Sequence, residues 1–142
     1  MKIITDDYLH IPISLSIFVL SLCFPAIHYI EKIQEPGYYH SLALLILGWV
    51  GVIIGYDYSW LANISYLIGL IYFINAIKSC FFGTLTLVFA LSFLTQEKII
   101  DPFEWSLVAI TKYGIGYYLW IISFFVFWLG QTWLAVYRLK NN

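Results

Sequence analysis

Between Lys112 and Arg138 the chain reads YGIGYYLWIISFFVFWLGQTWLAVY, residues 113–137, 25 positions without one Asp, Glu, Lys or Arg. A hydrocarbon core about 30 Å thick needs roughly 20 helical residues rising about 1.5 Å each. The stretch is long enough to cross such a layer. Four more intervals of the same kind lie upstream: 23 residues between Asp7 and Glu31, 21 between Glu35 and Asp57, 20 between Asp57 and Lys78, and 18 between Lys78 and Glu97. Together the five cover 107 of the 142 residues.

Composition agrees with the spacing. Apolar residues make up 62% of the chain and charged residues 11%, and the mean hydropathy is +0.86. A water-soluble domain carries about 25% charged residues; a surface this poor in charge needs lipid around it. These features predict a single domain, 1–142, that is an all-α integral membrane protein with five transmembrane helices over 8–30, 39–56, 60–77, 79–95 and 113–137. Because one Lys does not prove a turn at 78, residues 58–96 could instead hold one long tilted helix and a re-entrant piece.

Local signals refine the boundaries. Pro12 falls near a helix start, where a missing N–H is harmless, and Pro25 predicts a kink or an early end. The link from Glu31 to Gly37 is polar and closes on Pro36-Gly37. Gly51 and Gly55 stand four apart on the second helix and predict close approach of another helix, inside the bundle or across a dimer. Asp101-Pro102-Phe103-Glu104 joins an N-cap acid, Pro at the first helical position and Glu at the third. That predicts a short interfacial helix before the last span, broken near Gly114 and Gly116.

Lys/Arg counts on alternate sides of five spans set the orientation. Lys32, Lys78, Arg138 and Lys140 fall on one side, and Lys2, Lys98 and Lys112 on the other. The expectation is a multi-pass inner-membrane protein with its N-terminus outside and its C-terminus in the cytoplasm. Asp6 and Asp7 beside Lys2, without a small-x-small site after the apolar run, argue against a cleaved signal peptide. Cys23 and Cys80 read as buried structural thiols. A net charge of −1 without a basic stripe excludes a nucleic-acid footprint.

Chemistry needs ionisable groups gathered at one depth, and the five spans hold no formal charge. Asn63, Asn75, Thr84, Thr86 and Gln131 read as hydrogen-bonding glue between helices. His10 and His28, 18 residues apart on one predicted helix, would lie about 27 Å apart. His28 and His40 flank one link beside Glu31 and Glu35, where two histidines and a carboxylate are a conceivable metal set, but no HxxxH spacing fixes them on one turn. Tyr56, Tyr58 and Trp60 around Asp57 form an aromatic belt, or the mouth of an aromatic-lined ligand site. No nucleophile, phosphate-loop or paired-cofactor motif occurs, so no catalytic, cofactor or metal residue is assigned.

The run Gly48-Trp49-Val50-Gly51, then Trp60-Leu61-Ala62-Asn63 and Gly116-Tyr117-Tyr118-Leu119-Trp120, resembles a group of small uncharacterised bacterial inner-membrane proteins. The resemblance implies a bacterial inner membrane and lends no activity. The resulting expectation is a non-enzymatic protein, in contact with the lipid bilayer and with another membrane protein or itself. It would serve as an accessory, assembly or immunity factor. The alternatives are a transporter or channel subunit with a pathway along Asn63, Asn75, Thr84 and Gln131, and a lipid enzyme using Glu97, Asp101 and Glu104.

Overall fold

The computed structural model describes residues 7–30, 36–101 and 105–141. Pro25 ends the first helix early. Helix α1 (His10–Ser21) frays over 22–24, and the chain leaves it extended into β1 (Pro25–Ile30), which pairs with β2 (Pro36–His40). Proline has no N–H for the helix ladder and disfavours helical geometry in the residue before it.

Two short helices follow, α2 (Ser41–Leu47) and α3 (Trp49–Ile54), separated at Gly48. Gly55 closes α3 in the left-handed region (φ 76°), with Tyr56 N–H donating to the Gly51 carbonyl at 2.9 Å and Gly55 N–H to that of Val52 at 3.1 Å. That is a Schellman cap, which a residue bearing a Cβ would strain. Next come α4 (Leu61–Ile71), α5 (Ala76–Ser92) with a 3₁₀ turn over Phe93–Thr95, strands β3 (Lys98–Ile100) and β4 (Leu107–Tyr113), and α6 (Ile115–Asn141). Asn75 caps α5 by accepting from Lys78 N–H at 3.2 Å, which fixes two helices here rather than one long one.

The all-α, five-span expectation is therefore corrected: the described residues form six α-helices and a four-stranded antiparallel sheet of order β2-β1-β4-β3. Two helical stretches among them, Ala76–Thr95 and Ile115–Asn141, are long and apolar enough to cross a membrane; His10–Ser21 and Leu61–Ile71 are shorter. The expected spans 8–30 and 39–56 split because charge-free length counts apolar residues without reading their period. Nor does an interfacial helix precede the last span. Residues 102–104 lie outside the described residues, but the flanking segments pair as a hairpin, Ile99 opposite Val108 and Ile100 opposite Leu107. Trp105 turns it with φ 57°, and Asp101 N–H donates to the Ser106 carbonyl at 2.7 Å.

Four helices run between two ends of the molecule. Ser14 donates to the Ser123 carbonyl (2.8 Å), Phe18 meets Phe124, and His10 lies against Gly130, so α1 and α6 are antiparallel. Gly69 faces Phe127 and Gly83 faces Trp128, bringing α4 and α5 to the same helix. The sheet caps one end. Its inner residues Ile27, Tyr39, Ile99 and Val108 pack with Phe93 and Tyr117 at the top of the helices. At the opposite end Arg138 donates to the Tyr8 hydroxyl, so the first and last helices begin and finish together. Five crossings would instead place Tyr8 and Arg138 at opposite ends.

Candidate functional site beneath the sheet

The turn after α3 is built around Asp57. Its carboxylate accepts from Ser59 N–H at 2.8 Å and from the Ser59 hydroxyl at 2.7 Å, an arrangement that sets the start of α4. One turn on, the Trp60 indole N–H donates to the Leu45 carbonyl of α2 at 2.8 Å. Asn63, buried, donates to the Trp60 carbonyl (3.2 Å) and accepts from the Trp120 indole of α6 (2.9 Å). A relay of polar contacts thus fastens the α2–α3 arm to α4 and α4 to α6.

Under that arm lies a cavity of ≈ 100 Å³. Leu22, Leu44, Val50, Phe93, Ile99 and Tyr117 supply apolar wall, and Asp57, Ser59 and Asn63 supply polar groups. Asp57 stands on this wall with Tyr56, Trp60 and Trp120, while Tyr58 is exposed away from it. The neighbouring sheet buries one phenol, Tyr39, and half-buries another, Tyr113. Burial pushes the Tyr39 hydroxyl well above the ordinary tyrosine range, and hydrogen bonds with Asp101 and Tyr29 add to it. Tyr113 moves in the same direction through burial, then through Tyr118 and Asp57.

The remaining sequence candidates scatter. His28 and His40 do share the outer sheet face, with Tyr38 between them at ring separations of 6.2 and 5.3 Å, while Glu31 and Glu35 lie outside the described residues. His10 is at the far end beside Gln131, their Nε2 atoms 3.1 Å apart. Among the described residues no three His, Cys, Asp or Glu side chains gather as a metal set. Glu97 is exposed and Asp101 buried at the two ends of β3, and Glu104 lies outside the described residues.

Nor do Asn63, Asn75, Thr84 and Gln131 form one line. Asn75 caps α5, and exposed Thr84 bonds to Cys80 and Trp128 on the outside of the bundle. Gly51 faces Asp57 of its own turn, and Gly55 is an exposed cap, so neither is a helix-packing seam. Cys23 is exposed at the end of α1, not buried mid-helix. Sequence reasoning missed the Trp60–Asn63–Trp120 relay; the signal available was a lone amide three residues after a Trp. The chain matches no protein-family model, no curated protein and no solved structure.

Proposed function

We propose that this is a membrane-embedded, non-enzymatic protein that acts by contact between its outer helix faces and another membrane protein or a second copy, holding a small sheet at one bilayer surface. The observation that carries this reading is the apolar exterior of the helices, with polar side chains held inside. On α6 the residues Ile115, Tyr118, Ile122, Phe125, Leu129, Trp133 and Val136 form one exposed stripe at helical spacing. Ile77, Phe81, Val88 and Leu91 repeat it on α5, and Ile64, Leu67, Ile71 and Ile74 along α4 and its exit.

Facing inward, set among a core of Ala62, Tyr66, Ala90, Phe124 and Phe127, are Ser14, Ser65, Ser79, Thr86, Ser123 and Gln131, all buried. A helix in water turns a polar face outward. Hydroxyl and amide groups held inside with Ile, Leu and Trp outside suit lipid, because apolar tails cover the exterior and buried polar groups bond between helices. The two span-length stretches are only 28% and 33% buried within the protein, far from the coverage of a soluble core helix. Lys78, Arg138 and Lys140 stand at the end remote from the sheet, and that basic end faces the cytoplasm in this reading.

Photo-crosslinking residues placed in turn at Ile122, Leu129 and Trp133 test it, with buried Phe124 as the control. We expect a discrete protein adduct of constant mass from the exposed positions and none from 124. Adducts to lipid alone at every exposed position would remove the contact function and leave only the membrane location.

A further inference from the structure

We propose that the groove between the α4–α5 turn and the end of α6 binds the phosphate-bearing head of one anionic phospholipid. Ile71, Tyr72, Ile74, Ile77 and Leu139 wall this groove of ≈ 420 Å³, and Arg138 stands in it. The guanidinium is held in place before any ligand arrives. Its Nη1 donates to the Ile74 carbonyl and its Nη2 to the Tyr8 hydroxyl, each at 2.6 Å.

Both partners are neutral, so the charge of Arg138 is positioned but not balanced by a carboxylate among the described residues. Two of its five N–H donors are spent on those bonds, and three remain for an oxyanion. A side chain already fixed in one rotamer loses less freedom on binding than a mobile one. Lys78 brings a second positive charge beside the groove, its Nζ lying 5.4 Å from the centre of the Tyr72 ring that lines it.

The walls decide between a free anion and a lipid. Ile71, Ile74, Ile77 and Leu139 are each more than half exposed, and inorganic phosphate would leave them so. An acyl chain descending from a headgroup on Arg138 covers them. A zwitterionic head fits less well, because its ammonium would approach two like charges. The site rests on the membrane-embedded reading and deepens it.

The test is native mass spectrometry of the full chain from nanodiscs holding equal phosphatidylglycerol and phosphatidylcholine. A carbonate wash of the source membranes is scored separately. We expect the protein to stay with the washed membranes and to retain one phosphatidylglycerol about tenfold over phosphatidylcholine, each tenfold corresponding to roughly 1.4 kcal/mol. Arg138→Gln should abolish the preference, exposed Lys78→Gln should reduce it about threefold, and Lys98→Gln on the sheet should leave it intact. Inorganic phosphate at millimolar concentration should not displace the lipid.

Equal retention of both lipids, or a preference surviving in both the Arg138 and Lys78 variants, overturns the site while the membrane reading stands. Displacement by phosphate overturns the lipid assignment in favour of a free-anion site. Release of the protein by carbonate overturns the membrane reading and the site together.

Discussion

The helical body and the sheet end of this chain share an apolar interior and differ in what they turn outward. In the body Ser14, Ser123 and Gln131 are buried among Tyr66, Phe124 and Phe127, and Ile122 and Leu129 are outside. At the sheet Ile27, Tyr39, Ile99 and Val108 are inside, while His40, Lys98 and Lys112 are exposed. In the membrane-embedded reading proposed above, the contrast is that of one chain of 142 residues folded against two solvents, apolar along the helices and aqueous over the sheet's outer face.

One substitution made on both sides of the contrast gives the largest effects. Ile27→Asp places a charge in the sealed sheet core, where an unpaired buried charge costs about 3–5 kcal/mol. We expect loss of the folded sheet, read as loss of hydrogen-exchange protection in residues 107–113. Ile122→Asp sits on an exposed face of α6. There the cost is roughly 2.5–3.5 kcal/mol if lipid covers it and within about 0.5 kcal/mol if water does. Unchanged expression and membrane yield of Ile122→Asp would break the comparison.

Smaller effects sharpen it. Ser14 bonds the Tyr66 hydroxyl at 2.7 Å and the Ser123 carbonyl at 2.8 Å. Ser14→Ala should cost about 1 kcal/mol, since interhelical hydrogen bonds in bilayers average about 0.6 each, measurable by thermal unfolding in detergent. In the sheet the leverage is pH. The Tyr39 and Tyr113 hydroxyls are raised above the ordinary value near 10. A raised pKa means that the fold favours the protonated phenol and the unfolded chain releases its proton first. Sheet stability should therefore be intact below about pH 10 and fall as pH rises beyond it. Tyrosinate absorbance lagging behind that of a free phenol would confirm the direction, and Tyr39→Phe should remove part of the lag.

Two of the five expected spans are legible from charge spacing alone. The expected 79–95 lies within the observed helical stretch 76–95, and 113–137 overlaps 115–141, with Tyr113 ending a strand instead. Pro25 marks the true end of α1. The sheet escaped because its strands sit where apolar runs meet polar links. Residues 26–30 and 107–113 are as hydrophobic as a helix end, and what makes them strands is mutual pairing across most of the chain. At the Asp101–Glu104 segment the capping pattern is real in sequence, yet the pairing of 98–100 with 107–109 overrides it. Of the candidate site, only Asp57 and its aromatic neighbours could be read in advance. Leu45, Trp60, Asn63 and Trp120 become a group only through tertiary packing.

The pairing of β1 with β4 also has a consequence in time. Thr111 donates to the His28 carbonyl across 83 positions of sequence, at the centre of the seam that joins the two hairpins. During synthesis at about 5–20 residues per second, the edge of β1 therefore waits roughly 4 to 17 s for its partner. Through that interval an unpaired strand edge is open to any other extended chain. The sheet closes as a late clasp, after the residues of α2 to α5 have been made.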